Sequence, residues 1–313
     1  MRKVTLKKLT KENRKFVIDL YNNTTSSEAQ SIISNKFGVS ERTVRNWFRK
    51  LDLTSPLSQS DSRVMVYDIE TSRALAKVWW TGKQFIGHKN LQSEPKIISI
   101  CYKWMGESKI HQLTWDKNQC DKKMIAEFLI AYNQADMVVG QNNDRFDNRW
   151  VNARAMKHGL VFNTFVKSFD IMKQTKRLFR LPSYSMDYIT KFLNVENKLS
   201  HEGIKMWDMI ESGTKAQQKE YLQKMLDYNI GDIVSTEAMY VKLRKYMGHK
   251  VHFGVLNGLP KYSSPSDGST NLTLMKTQTT AAGTIQHVMV SNTDGVQFKL
   301  SNREYLNYLS NEQ

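Results

Sequence analysis

The pattern of apolar and polar positions changes character three times along the chain. Between Lys11 and Leu51 apolar residues recur at helical spacing and predict three short helices, Lys11–Asn22, Ser27–Lys36 and Glu41–Leu51, the last two joined by the turn Phe37-Gly-Val-Ser40. Ala29, Ile32, Ile33, Phe37, Val39, Val44, Trp47 and Phe48 can close a small trihelical core, with Gly38 turning the backbone and Ser40 capping the third helix. The polar stretch Asp52–Ser62 then predicts a flexible tether. The run Val64-Met-Val-Tyr-Asp-Ile-Glu-Thr71 predicts a buried central strand, and Ala76–Trp80, Lys96–Trp104 and Lys109–Trp115 predict further strands. From Asp121 helices dominate, interrupted by the short apolar strand Met137-Val-Val-Gly140 and ending in a long helix through Glu220–Tyr240. After about Val251 the chain is rich in Thr, Ser and Gly, and Thr284–Val290 and Val296–Leu300 predict a small β module.

Composition narrows the class. With 313 residues, 40% of them hydrophobic, the chain can bury an α/β core and still carry smaller modules. A net charge of +16 fits a polyanionic partner, since Lys and Arg that neutralise phosphates release condensed counterions. No apolar stretch is long enough to span a bilayer and no signal peptide is evident, so no membrane partner and a cytoplasmic location are expected, the host cytoplasm if the source is viral. Two cysteines, Cys101 and Cys120, make no disulfide framework.

The chemistry lies in separated acidic residues. Asp68 and Glu70 are two apart on one strand and so project from one face, where an unneutralised pair behind Val64, Met65 and Val66 is costly and a cation removes the cost. Tyr228 and Asp232, four apart in a helical segment, share one helical face. Asp147 closes Asn142-Asn-Asp-Arg-Phe-Asp147; it is read either as a ligand or as the cap of the helix beginning at Asn148, with Asp144 as a rival ligand. Asp170 reads as a helix cap. Hard oxygen ligands without His or Cys suit Mg²⁺ or Mn²⁺. Two such ions, about 3.5–4 Å apart, can stabilise both the attacking and the leaving oxygen of a phosphodiester.

In this order the Asp-x-Glu strand (Asp68, Glu70), the Asn-x-x-x-Phe-Asp segment (Asn142, Phe146, Asp147) and the Tyr-x-x-x-Asp helix (Tyr228, Asp232) resemble the DEDD-type 3′–5′ exonucleases of the tyrosine variant, in particular the exonuclease domain of family B DNA polymerases, over about residues 63–247. Leu181-Pro-Ser-Tyr-Ser-Met186 and the downstream Lys198 resemble that family's helix entry and lysine. The resemblance implies a ribonuclease H-like mixed α/β sheet flanked by helices and two divalent cations. It implies that Asp68 bridges both metals, Glu70 and Asp232 complete one site, Asp147 supports the second partly through water, and Tyr228 orients the attacking water. Asn142, Phe146, Ser183, Tyr184 and Lys198 would touch substrate.

Four parts are therefore expected: a helix-turn-helix module (1–51), a linker (52–62), the nuclease-like domain (63–248) and a β module (249–313). Ser40–Lys50 resembles the recognition helix of homeodomain-like helix-turn-helix modules, with Arg42, Thr43, Arg45, Asn46, Arg49 and Lys50 facing DNA. Residues 1–63 hold 13 Lys/Arg and 6 Asp/Glu, a difference of +7, which favours nucleic acid, DNA over RNA. Ser264-Pro-Ser-Asp-Gly268 and Ser291-Asn-Thr-Asp-Gly295 resemble zinc-ribbon knuckles with the cysteines replaced, so no zinc is expected, and two unrelated Asp-Gly turns are an equal reading. Lys261, Lys276, His287, Lys299 and Arg303 are its candidate nucleic-acid contacts. Trp79, Trp80, Phe85 and His88 either pack or stack on unpaired bases. The expected activity is a stand-alone, metal-dependent 3′–5′ exonuclease on DNA of viral or mobile-element origin. The alternatives are a DNA-binding regulator or adaptor built on a non-catalytic nuclease-like scaffold, an RNA exonuclease or a structure-specific endonuclease.

Overall fold

In the computed structural model, residues 9–23, 26–50, 63–195 and 203–312 are described. Residues 63–250 form one compact unit, and residues 1–62 with 251–313 form another. The Asp52–Ser62 connection lies outside the described residues.

The second unit opens with α1 (Lys11–Asn23), α2 (Ser26–Phe37) and α3 (Glu41–Lys50). Val17, Ala29, Ile33, Val44, Trp47 and Phe48 close the trihelical core, with Phe37 packed edge-on against Trp47 at 5.7 Å. Gly38 takes φ +61, and the Ser40 Oγ accepts from the Thr43 backbone N–H, as the turn and cap require.

The larger unit is built on a five-stranded mixed sheet. Its elements are β1 (Val64–Thr71), β2 (Leu75–Ala76), β3 (Leu91–Ser93), β4 (Ile97–Trp104), β5 (His111–Thr114), α4 (Lys122–Tyr132), β6 (Met137–Gly140), α5 (Asp147–Lys157), β7 (Lys167–Asp170), α6 (Ile171–Leu178), α7 (Met186–Phe192), α8 (Ile204–Ser212) and α9 (Lys215–Leu243). The order is β5-β4-β1-β6-β7, with β4 and β5 antiparallel on one side of β1 and β6 and β7 parallel on the other. Strand alternation divides β1 between two faces. Met65, Tyr67 and Ile69 enter the core with Ile125, Phe128, Leu129, Val151 and Ala155 of α4 and α5. The opposite face, which carries Asp68 and Glu70, is the one that α9 covers, with Ile98 of β4 packed on Met206 and Ile210 of α8 and Met225 of α9. α9 runs 29 residues from a Thr214/Gln217 capping box. Its buried stripe steps through Tyr221, Met225, Tyr228, Asp232, Ser235 and Met239 in threes and fours.

The strand expected at Ala76–Trp80 is not one. Only Leu75 and Ala76 pair, with β3, and Lys77–Gly87 is irregular, with Trp79 93% and Phe85 95% exposed. Val-Trp-Trp has the side chains of a strand, but the segment finds no sheet face to bury them on, and β-propensity expresses such a face rather than the backbone alone.

The tail adds α10 (Phe253–Leu256), β8 (Leu272–Thr279), β9 (Ile285–Ser291), β10 (Gln297–Ser301) and α11 (Asn302–Glu312), a three-stranded antiparallel sheet whose core joins Leu272, Met289, Leu300, Tyr262 and Tyr308. β8 and α11 were not expected from the pattern. The two Ser-x-x-Asp-Gly segments form matching turns: Gly268 N–H donates to Ser264 O and Gly295 N–H to Ser291 O, each at 2.9 Å, with φ +74 and +73. They meet through Ser264, Ser266 and Asp294, the Ser266 hydroxyl donating to Asp294 at 2.6 Å. His287, expected on the surface, is instead buried, stacked on Tyr305 and hydrogen-bonded to Thr277 and Asn302.

One buried ion cluster ties the large unit together. Asp121, fully buried, takes Arg154 in a bidentate grip at 2.6 and 2.8 Å, His158 at 2.7 Å and the Ile97 backbone N–H at 3.1 Å, joining β4 to the start of α4 and the end of α5. Burial pushes its carboxyl pKa up, but the bonds from Arg154, His158 and Ile97 outweigh this and hold it below the usual range. Asp121→Ala leaves Arg154 buried without its partner and is expected to cost about 3–5 kcal/mol in denaturant melts at neutral pH. Because the folded pKa is depressed, the stabilisation is present above the unfolded value near 3.9 and is lost as pH falls through the folded one. Wild type should therefore lose stability more steeply below about pH 4 than Asp121→Asn, and parallel curves would remove this role.

Candidate active site

The site lies where β1 meets α9. Asp68 and Glu70, half-buried on one face of β1, and Asp232, 4% exposed on the buried stripe of α9, each offer a carboxylate oxygen within 4.8 Å of the other two. A parallel partner (β6) and an antiparallel one (β4) hold β1 in place, and Asp68 pairs with Cys101 and Glu70 with Ser99. Tyr228, buried, precedes Asp232 by one turn on the same stripe. Lys103 of β4 forms an ion pair with Glu237, one turn beyond Ile233, which fastens α9 to the sheet.

Asp147 stands outside that trio but against the same strand. It is the first residue of α5, with Phe146 in the capping position, and its Oδ1 accepts from the Ile69 backbone N–H at 3.1 Å, between the two β1 carboxylates. The capping role is therefore replaced by a bond to β1. Burial, and then the charges of Asp170 and Asp232, push its pKa up to about 7.

The loop before α5 is wound on Asp170. Its carboxylate accepts the N–H groups of Asn142 and Asp144, both at 3.2 Å, and caps α6 through Lys173 N–H at 2.9 Å. Asp144, the rival ligand, is held by Ser168 at 2.6 Å and Lys173 at 2.8 Å. Asn142 takes φ +68, and Gly140 is packed so closely that a Cβ there would lie 2.7 Å from that of Asn143. Phe146 is 39% exposed, edge-on to Trp150. Tyr184 turns its hydroxyl back to Phe179 O at 2.9 Å and receives Gln141 on its own carbonyl; Ser183 bonds Ser185, the cap of α7. Lys198 lies outside the described residues, as do the side chains of Arg49 and Lys50. In the smaller unit Arg42 and Asn46 are exposed and Thr43 and Arg45 half-buried on α3.

Three carboxylates crowded on a largely buried surface form a hard, anionic donor set that fits a divalent cation bound through oxygen. The nearby sulfur does not compete: burial first, then Asp68, Glu70 and Asp227, push the Cys101 thiol well above its usual pKa, so no thiolate is offered. Asp68, Glu70 and Asp232 would hold the ion.

A central mixed sheet flanked by helices, with Asp68 and Glu70 on its middle strand, defines a mixed α/β fold. The RNase_H superfamily model matches residues 88–244 of the 313, and the chain belongs to that superfamily. Among solved structures it is similar to the family B DNA polymerase from the hyperthermophilic archaeon Pyrobaculum calidifontis, at 13% identity and TM-score 0.45, over 68% of this chain and 28% of the polymerase chain. No curated protein matches it. Among the described residues no helix is long and apolar enough to cross a membrane.

Asp232→Asn removes one of three converging charges. In EDTA it should melt above wild type, whereas Mn²⁺ at about 100 times its Kd should stabilise wild type by about 2.7 kcal/mol and leave the variant unmoved. Equal Mn²⁺ stabilisation of both would place the cation elsewhere.

Proposed function

We propose that the protein is a 3′–5′ exonuclease acting on DNA by two-metal phosphodiester hydrolysis at Asp68, Glu70, Asp147 and Asp232. The observation that carries this reading is the convergence of Asp68, Glu70 and Asp232, with Tyr228 one helical turn away, on an RNase_H sheet. Bound Mg²⁺ or Mn²⁺ supplies a nucleophilic water at neutral pH and neutralises charge building on the phosphate. The chain's own groups do the positioning. Asp68 and Glu70 are set side by side by the strand, Asp232 reaches them from α9, and Asp147 is pinned to β1 by the Ile69 amide. The Tyr228 hydroxyl orients the attacking water. Asn142 and Phe146, in the loop wound on Asp170, meet the strand end, with Ser183, Tyr184 and Lys198 as further contacts in this reading.

DNA is favoured by the charge of +16 and by the three-helix module, in which α3 serves as recognition helix through Arg42, Thr43, Arg45, Asn46, Arg49 and Lys50. In the tail, matching turns joined by Ser266 and Asp294 support a zinc-ribbon-like module in which hydrogen bonds stand in the place of metal.

5′-Labelled single-stranded DNA, duplex DNA and RNA, incubated with Mg²⁺, Mn²⁺ or EDTA, test the reading. A metal-dependent ladder shortening from the 3′ end is expected, strongest on DNA. Asp68→Ala should lower the rate by at least about 10³-fold, the scale of several kcal/mol of lost charge stabilisation. Tyr228→Phe should slow it by about 10²-fold with Mn²⁺ stabilisation retained. Strands left intact by wild type in every lane would sink the proposal. Arg42→Ala with Arg45→Ala should flatten the slope of log affinity for duplex DNA against log salt by about 2, at about 0.9 per lost phosphate contact; an unchanged slope would take α3 off the DNA.

A further inference from the structure

A cationic cleft lies beside the second acidic motif, and none of its cations is used by the chemistry above. The turn before α5 carries Arg145 and the first turn of α5 carries Arg149, while the first turns of α6 carry Lys173 and Lys176, three apart and so on one face of that helix. These residues, with Asp144 and Asp170, line a cleft of about 490 Å³. All four cations are exposed.

The two carboxylates do not neutralise the four cations, since 4 − 2 leaves +2. Asp170 is committed to the backbone amides of Asn142, Asp144 and Lys173. Asp144 is committed to Lys173 and Ser168, and Lys250, bonded to Ser168 O at 2.7 Å, adds positive charge beside it. Among the described residues neither Arg145 nor Arg149 nor Lys176 has a carboxylate partner. Uncompensated cations converging on a concave surface create a field that selects an anion, and guanidinium forks match phosphate oxygens. The cleft also adjoins the chemistry: Asn142 lines it, and Asp170 at its wall acts electrostatically on Asp147.

We infer that Arg145, Arg149, Lys173 and Lys176 bind the phosphodiester backbone of the nucleic-acid strand whose end enters the carboxylate site. This rests on the nuclease reading for the strand's destination. The cleft takes phosphate and ribose-phosphate alike, so it supplies grip and direction without reading bases.

The test uses the full chain with Arg145→Gln, Arg149→Gln and Lys176→Gln, Lys173 being left to hold Asp144. Fluorescein-labelled oligothymidine and oligouridine of equal length serve as probes, followed by anisotropy in EDTA across a KCl series. A variant of equal charge change, Lys109→Gln, Lys122→Gln and Lys123→Gln, is the control. For each probe that wild type binds, the cleft variant should lose at least about tenfold in affinity at low salt and about 2 in the salt slope, at about 0.7 per single-strand phosphate contact, with the control close to wild type. In cleavage with Mn²⁺, KM should rise by a larger factor than kcat falls. Affinity and slope unchanged, or falling equally in the control, would overturn the cleft. If the triple variant does not fold, Arg149→Gln alone should lose about 0.7 of slope, and no loss overturns the inference equally. The two readings separate: slope loss in a protein that never cleaves keeps the cleft and removes the nuclease, whereas Asp68-dependent cleavage with an unchanged slope removes the cleft alone.

Discussion

The large unit is organised around a repulsion. Asp68, Glu70 and Asp232 bring oxygens within 4.8 Å of one another, and at an effective dielectric near 20 each pair of charges at that distance opposes the arrangement by about 3.5 kcal/mol. It is imposed by apolar packing elsewhere: Met65, Tyr67 and Ile69 bury one face of β1 and so commit the intervening carboxylates to the other, while the stripe of α9 presses Asp232 onto that face. Folding energy stored this way is what makes the cluster receptive to a cation, because the ion removes a cost already incurred.

Around that cluster the polar groups are held by other polar groups rather than left to solvent. Asp121 clamps β4, α4 and α5 through Arg154 and His158; Asp170 gathers the loop of the second motif onto the start of α6; Lys103 and Glu237 fix α9 to β4. Each anchor is remote in sequence from what it holds. Together they restrict the backbone beside the site, so that Asp147 receives the Ile69 amide and Asn142 can sustain a positive φ. Rigidity of this kind pre-positions groups for in-line chemistry at low entropic cost.

The smaller unit solves a different problem. Of the apolar residues in its three-stranded sheet only Leu272, Val288, Met289 and Leu300 are buried, and buried serines are numerous: Ser263, Ser264, Ser266, Ser269 and Ser291. Hydrogen bonds between the two matching turns satisfy part of that buried polarity and lock the turns against each other. The repeated Ser-x-x-Asp-Gly spacing was visible in the chain, but its pairing was not, since nothing in either pentapeptide specifies the other.

What the sequence by itself determined was everything that depends on local periodicity. Two-residue spacing places Asp68 and Glu70 on one face, four-residue spacing places Tyr228 beside Asp232, the Phe37–Ser40 turn delimits α3, and Asp170 is a cap. Tertiary structure alone decided which reading of each ambiguous residue holds. Asp147 is the first helical residue, bonded to β1; Asp144 is occupied by Lys173 and Ser168; Val78, Trp79 and Trp80, strand-like in composition, join no sheet; His287 is buried against Tyr305. The cationic cleft belongs to the same class, for its four members come from two segments joined through Asp170 and the Lys173–Asp144 ion pair. The physical reason is common to all of these. Periodicity is a property of bonds along the chain, whereas burial, charge compensation and hydrogen-bond partners are set by what lies across space, and a carboxylate cannot announce which amide, cation or second carboxylate it will meet.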